Sequence, residues 1–166
     1  MALSADVATK VSTDAAEKLV QTFYPALQSN PTAISSFYMP PAAMPDGKPL
    51  PAIVYNGNII PDAATFQTMI QRDMATARYE VQAYDCHVLN PNYVVDGMEA
   101  GNAAGGKNMT ILVSVSGHVK FGGRDSNARG FSENFVLIPN HDAASKGRGK
   151  HGKEWLIQSQ NFRLVV

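Results

Sequence analysis

The sequence predicts an α+β fold in which helices cover one face of a curved, mainly antiparallel sheet. Apolar residues recur at three- and four-residue steps over residues 4–30 and again over 63–74, as in amphipathic helices. From residue 79 the apolar period becomes two, which predicts strands at 79–89, 109–121, 130–138 and 154–165. Helices followed by a run of strands are typical of the α+β class.

The first helix is expected over residues 4–30, and Asn30-Pro31 then interrupts the pattern. Ser12 or Thr13 could instead cap a later start, because Asp14 and Glu17 follow them. Ile34, Phe37 and Tyr38 indicate a short second helix.

Residues 53–60 predict a hairpin that leads directly into a helix. Asn56-Gly57 suits a type I′ turn, whose two central residues need positive φ. Asn58 to Ile60 form the short return strand. Pro61 then suits the first helical position.

The 166 residues predict one domain, 1–166, with long loops at 40–51, 90–108 and 140–153. Five of the ten prolines fall in residues 40–51, which therefore should lack regular structure.

Composition excludes several classes of protein. The 14 basic and 14 acidic side chains balance, so any nucleic-acid binding needs a local basic patch. One cysteine, Cys86, allows no intrachain disulfide and suggests a reducing compartment. No leader peptide and no apolar run long enough for a membrane span are evident, so we expect an intracellular protein without a membrane partner.

The second faces of the central strands are mixed in character. In 109–121 this face carries Thr110, Leu112, Ser114, Ser116, His118 and Lys120; in 130–138 it carries Ser132, Asn134, Val136 and Ile138. A face facing only water would normally carry more charge. Mixed composition with few charges fits a protein–protein interface about as well as an ordinary solvated face.

Few residues suggest catalysis. Cys86 and His87 are strand neighbours, so their side chains point to opposite faces and cannot pair; Cys86 is expected to be a buried thiol. Asp85 and His87 share a face and could form an acid–base dyad, although a hydrogen-bonded pair or an interface contact is commoner. His118, His141 and His151 lack metal-ligand spacing, and there is no phosphate-binding glycine motif. We predict no catalytic residue, metal or cofactor.

One basic cluster occupies residues 146–153, where Lys146, Arg148, Lys150 and Lys153 alternate with glycine and His151. Such a loop can neutralise phosphates without reading bases, which would give salt-dependent RNA contact. A solvated loop is the alternative. The cluster contains no aromatic residue, so base stacking is not indicated there.

An ordered series of segments resembles the nuclear transport factor two-like family. The series runs through Phe23-Tyr24, Ser36-Phe37-Tyr38, Val54-Tyr55-Asn56-Gly57-Asn58, the strand around Asp85-Cys86, Gly117-His118-Val119-Lys120-Phe121, Phe131-Ser132-Glu133-Asn134-Phe135, Trp155-Leu156-Ile157 and Asn161-Phe162-Arg163. Within that family it is similar to the small subunit of the mRNA export receptor heterodimer, in the fungal form called the mRNA transport regulator. The long loops favour the fungal form.

The resemblance implies a cone, with helices inside a strongly curved sheet and the outer sheet face left for a partner of the same fold. It implies a non-enzymatic subunit that docks sheet-to-sheet on the large receptor subunit. The pair would carry mRNA, with ribosomal particles as a further cargo, through nuclear pores by contacts with Phe-Gly nucleoporins, shuttling between nucleus and cytoplasm.

The resemblance places Asp85 on the partner-facing side, opposite an arginine of the large subunit. By strand alternation His87 shares that side. The other expected interface residues are His118, Asn134, Val136 and Arg163, and the possible RNA contacts are Lys146, Arg148, Lys150 and Lys153.

Two other functions stay open at this stage. One is an isomerase or dehydratase of the same fold with a pocket Asp/His pair, built from Asp85, His87 or His118 with a tyrosine. The other is a self-sufficient RNA-binding protein that works through residues 146–153.

Overall fold

The fold was analysed in a computed structural model that describes residues 4–93, 107–123, 125–141 and 153–165. Within them the helices are α1 (Ala5–Ser29), a 3-10 helix (Pro31–Phe37) and α2 (Ala63–Asp73). The strands are β1 (Ala42–Ala43), β2 (Pro49–Leu50), β3 (Ala52–Tyr55), β4 (Asn58–Ile60), β5 (Arg78–Asn90), β6 (Thr110–Lys120), β7 (Arg129–Pro139) and β8 (Trp155–Val165).

Helix α1 starts early, as the apolar pattern predicted. The N-cap is Ser4, whose Oγ accepts a hydrogen bond from the Val7 amide. This satisfies one of the amides that the first helical turn leaves without an intrahelical partner. Ser12 is a buried residue within the helix and not its cap.

The segment 40–51 is more regular than its prolines predicted. Strands β1 and β2 pair antiparallel, with Ala42 opposite Leu50. Gly47, at φ 85°, closes the turn between them. The prediction of a loop without regular structure was therefore wrong for these four residues, because two short strands tolerate proline at their ends.

The hairpin and the helix that follows it fold largely as predicted. Asn56 and Gly57 have φ of 48° and 85°, and β3 pairs antiparallel with β4. Pro61 was predicted as the first helical residue, but α2 begins two residues later, at Ala63. The side chain of Asp62 caps this helix by accepting a hydrogen bond from the Thr65 amide at 2.7 Å. The same hydrogen bond lowers the pKa of Asp62.

One six-stranded sheet carries the fold, in the order β4-β3-β8-β7-β6-β5. All neighbours pair antiparallel except β3 and β8, which are parallel. The four long strands predicted from the period of two are confirmed, with ends that differ by one residue.

Two features bend the sheet at β5. The pairing of β5 with β6 slips between Val81 and Ala83 and again between Val88 and Asn90, and such bulges increase local twist. Gly117 of β6 lies opposite the first slip, where a Cβ would stand 2.0 Å from the Glu80 carbonyl oxygen. The close approach of β5 therefore requires glycine at this position.

The concave face of the sheet packs on α1, the 3-10 helix and α2. Phe23 of α1 is fully buried and makes edge-to-face contacts with Tyr24, Phe37 and Phe135, with ring centroids 5.3–5.5 Å apart. On the far side of the core, Tyr55 stacks on Phe162 at 4.4 Å. Helices on one face leave the other face of the sheet open.

Candidate protein-interaction face

The convex side of the sheet, here called the outer sheet face, is defined by three rows of residues that the strand register places side by side. The first row is His87, Leu112, Val136, Ser159 and Ala52; the second is Asp85, Ser114, Asn134, Asn161, Val54 and Ile59; the third is Ala83, Ser116, Ser132 and Arg163. No helix of the described chain covers these rows, whose members are exposed or only half-buried.

Charge is sparse across the outer sheet face. Asp85 stands near one edge, and Arg163 stands three strands away on β8. Between them lie Ser114 and Asn134, joined by a hydrogen bond that Ser114 Oγ donates to Asn134 Oδ1 at 2.7 Å. A broad face with apolar side chains, amides and hydroxyls, and with few charges, has the composition of a protein interface core.

All six residues predicted for the interface lie on this side of the sheet. Asp85, His87, Asn134, Val136 and Arg163 belong to the three rows. His118 continues the same face on β6, opposite Gly130. The strand register shows which of them are neighbours, and their contact with a partner stays a prediction.

Asp85 and His87 form a solvent-exposed pair. His87 Nε2 lies 3.3 Å from Asp85 Oδ2, and their side chains are 65% and 76% exposed. The other carboxylate oxygen of Asp85 accepts from the Cys86 amide at 2.8 Å. An exposed pair of this kind contributes little to folding, and its polar groups are accessible to a partner.

The alternative of a catalytic Asp/His pocket does not fit this geometry. Asp85, His87 and His118 point to the convex side, away from the cone interior, because alternation sends them opposite to Cys86 and Val113. Cys86 is half-buried on the concave side and packs against the core. Cys86 and His87 therefore face opposite sides, as predicted.

Sequence reasoning missed the carboxyl group that does lie inside the cone. Glu133 of β7 is 1% exposed, between Phe131 and Phe135 on the concave side. Its Oε1 accepts from the Tyr24 hydroxyl at 2.7 Å, and its Oε2 accepts from Gln160 Nε2 at 2.7 Å. Burial raises the pKa of Glu133 to about 7, against the opposing effect of these two hydrogen bonds.

The cluster around Glu133 continues to a second tyrosine. The Tyr38 hydroxyl donates to Gln160 Oε1, so Gln160 bridges Tyr38 and Glu133. Burial also raises the pKa of Tyr24 and of Tyr38 well above the ordinary value. Position 133 follows the apolar alternation of Phe131 and Phe135, which was the available signal that its side chain points inward.

Sequence reasoning placed Leu112 on this face without proposing it as a contact, and it missed Ile59. Ile59 of β4 is 80% exposed at the free edge of the sheet, opposite Val54. Leu112 stands half-buried between His87 and Val136. The exposure of Ile59 depends on its position at the sheet edge, which no local pattern shows.

Of the predicted RNA contacts, Lys146, Arg148 and Lys150 lie outside the described residues. Lys153 is described: its Nζ donates to Ser36 Oγ at 2.8 Å and stands 4.2 Å above the Phe37 ring. Partial burial lowers its pKa.

Across the described ranges, no helix has the length and hydropathy needed to cross a membrane. Nor do His, Cys, Asp and Glu side chains gather there in a group of three or more that could hold a metal ion.

The fold and its open convex face define a nuclear transport factor 2-like protein. The structure of nuclear transport factor 2 from Cryptosporidium parvum matches with a TM-score of 0.62 at 18% identity, over 93% of this chain and 94% of that one. At that identity the likeness shows the fold alone.

The sequence model of one family, described as nuclear pore RNA shuttling protein Mtr2, matches residues 12–165, and the chain belongs to this family. It is similar to a chain of the structure "Sac3N peptide bound to Mex67:Mtr2", with 26% identity, a TM-score of 0.77 and coverage of 93% of this chain and 99% of that one. It is similar also to a chain of the Chaetomium thermophilum Mex67 NTF2-like domain complexed with Mtr2, with 25% identity, a TM-score of 0.74 and coverage of 93% and 98%. No curated protein sequence matches at the significance required. The resemblance inferred from the sequence is confirmed.

Proposed function

We propose that this chain is the small, non-catalytic subunit of a heterodimeric nuclear export receptor for mRNA. It docks its outer sheet face on the NTF2-like domain of a large subunit of the Mex67 type. Membership of the Mtr2 family and the likeness to chains solved in Mex67:Mtr2 complexes support this assignment.

The outer sheet face is the observation that carries the proposal. Its three rows expose apolar side chains of β3, β4, β6 and β7 next to hydroxyls and amides, with one carboxylate and one guanidinium far apart. Asp85, His87, His118, Asn134, Val136 and Arg163 are the proposed contacts, to which the register adds Leu112 and Ile59. Asp85 pairs with an arginine of the large subunit in this proposal, which sets orientation more than affinity.

The interior of the cone supports a role without catalysis. Both oxygens of Glu133 accept protein hydrogen bonds, and the side chain is 1% exposed. A general base must reach a proton of the substrate, and a carboxylate enclosed in this way cannot. The exposed Asp85–His87 pair has no enclosing pocket that would exclude water.

Transport places the heterodimer in the nucleus and at the nuclear pore, with shuttling to the cytoplasm. We propose that the pair contacts Phe-Gly nucleoporins and that the basic residues Lys146, Arg148 and Lys150 contact RNA or ribonucleoprotein cargo, including ribosomal particles. Lys153, the fourth basic residue named from the sequence, lies over the Phe37 ring and is assigned to another site below. No cofactor is required for such a role.

The direct test is copurification with a large subunit. Co-expression of this chain with a Mex67-type NTF2-like domain should yield a 1:1 complex and raise the soluble yield of both chains, because an obligate interface leaves a large apolar face exposed on each free subunit. A stable homodimer that ignores the large subunit would contradict the proposal.

The cargo contacts need a separate test. Replacing Lys146, Arg148 and Lys150 together by Gln should weaken RNA binding by the heterodimer and flatten its dependence on salt concentration, since each lost phosphate contact removes released counterions. If the substituted heterodimer binds RNA at low salt as tightly as the unsubstituted one, this loop does not contact RNA.

A further inference from the structure

A groove on the helical side of the molecule is a second candidate binding site, far from the outer sheet face. It runs beside α1 and has a volume of about 470 Å³. Its lining includes Ala15, Leu19, Ala26, Phe37, Leu137 and Trp155. Small alanines on α1 and the aromatic rings opposite them form a channel with an apolar floor.

The dimensions of the groove favour an extended chain over a helix. The α1 residues that line it run from Ala15 to Ala26, which is about 16 Å of helix. A volume of about 470 Å³ along that length accommodates a narrow segment of chain. A helix is about 10 Å wide with its side chains, whereas about five extended residues span 16 Å.

The rim of the groove is positively charged. Lys18 and Lys153 both line it, and within the described part of the chain neither stands in a salt bridge with a carboxylate. Glu154, the acidic lining residue, is already neutralised by Lys107 at 3.1 Å. Lys153 Nζ donates one hydrogen bond to Ser36, and an ammonium has three protons to donate.

The partial burial of Lys153 adds to the case for an anionic partner. Its ammonium lies over the Phe37 ring, a contact that holds it beside the apolar floor. A carboxylate placed there would stabilise the charged form of a lysine that burial disfavours.

We propose that this groove binds a short extended peptide segment of a partner protein in which aliphatic and acidic residues alternate. Alternate side chains of a strand point to opposite sides, so the aliphatic ones enter the apolar channel while the acidic ones reach the Lys18 and Lys153 rim. The site is separate from the outer sheet face, so a peptide could be held while that face is covered.

Trp155, the one tryptophan of the chain, lines the groove and reports its occupancy. The 166-residue chain is titrated with an acetylated eight-residue peptide of alternating leucine and aspartate, followed by tryptophan fluorescence. A saturable change is expected. Peptides with lysine in place of aspartate, or serine in place of leucine, should bind at least about tenfold more weakly.

Two exposed neighbours on α1 give a matched pair of variants. Thr22 lines the groove and Gln21 does not. Thr22→Glu should weaken the peptide by about tenfold or more, whereas Gln21→Glu, with the same charge change, should leave its affinity unchanged. Circular dichroism checks that both variants keep the fold.

Several results would overturn the proposal. The proposal is wrong if fluorescence shows no saturable change at millimolar peptide. It is also wrong if the lysine peptide binds as tightly as the aspartate peptide, or if the two variants have equal effects. If iodide does not quench the fluorescence of Trp155 in the free protein, the groove is already filled. A response to oligouridylate but not to the aspartate peptide would make it a phosphate site instead. None of these results bears on heterodimer formation, which copurification tests independently.

Discussion

Tyr24 of α1 donates a 2.7 Å hydrogen bond to Glu133 of β7, and both side chains are buried. The pair joins residues 109 positions apart in the sequence and ties the first helix to the centre of the sheet. It also puts an ionisable group in the core, where its charge state affects the stability of the whole domain.

The first prediction concerns pH. The pKa of Glu133 is raised from 4.5 to about 7 by burial, so between these values the folded state binds the proton that the unfolded state has lost. The free energy of unfolding should therefore fall as pH rises from 5 to 8, by about 3 kcal/mol from this group. Urea unfolding across this range measures the effect.

The variant Glu133→Gln isolates that contribution. Glutamine can accept from Gln160 and donate to the Tyr24 oxygen, so both hydrogen bonds keep an analogue. The stability difference between Glu133→Gln and the unsubstituted chain should grow in favour of the variant from pH 5 to pH 8. Glu17→Gln, at an exposed position of α1, is the control. A difference that stays constant with pH would refute the assignment.

The second prediction concerns Gly117. Alanine there would bring a Cβ to 2.0 Å from the Glu80 carbonyl oxygen, so the backbone of β5 or β6 must move. Gly117→Ala should lower the free energy of unfolding by about 1–3 kcal/mol. Gly130→Ala on β7 is the matched control, because its Cβ would meet Val165 at an ordinary 3.4 Å. Equal stability of the two variants would mean that β5 does not approach β6 so closely.

The third prediction concerns Asp85 and the heterodimer. Asp85→Arg should leave the fold intact, since the side chain is 76% exposed in the free subunit. It should weaken binding to the large subunit by about 2–5 kcal/mol, because under the proposed pairing with an arginine it replaces a carboxylate by a like charge. Calorimetric titration gives the affinity. Asp14→Arg, an exposed reversal on α1, should bind normally; a comparable loss there would point to a nonspecific charge effect.

The fourth prediction concerns Ile59. Its 80% exposure in a three-residue edge strand has no explanation in the free subunit. If the interface extends to β4, Ile59→Ser should weaken the heterodimer by about 1–2 kcal/mol at unchanged thermal stability. Val7→Ser, also an exposed aliphatic position but on α1, should have no effect on affinity. Equal affinities of all three proteins would confine the interface to the central strands.

Local signals in the sequence predicted much of this structure. Asn56-Gly57 forms the predicted turn because both residues tolerate positive φ, and His87 shares the face of Asp85 because strand alternation is a local rule. Alternation with Phe131 and Phe135 indicates that Glu133 points inward, but its burial depends on Tyr24 and Gln160 as hydrogen-bond partners, which no local pattern reveals. Ile59 was missed as a member of the outer sheet face because its exposure depends on which strand ends the sheet.

Hydroxyl-radical footprinting of the chain alone and with the large subunit tests the central claim most directly. The account predicts that His87, Leu112 and Ile59 lose reactivity in the complex, whereas Val7, exposed on α1, keeps its reactivity. Protection of Val7 with His87, Leu112 and Ile59 still reactive would contradict docking through the convex side of the sheet.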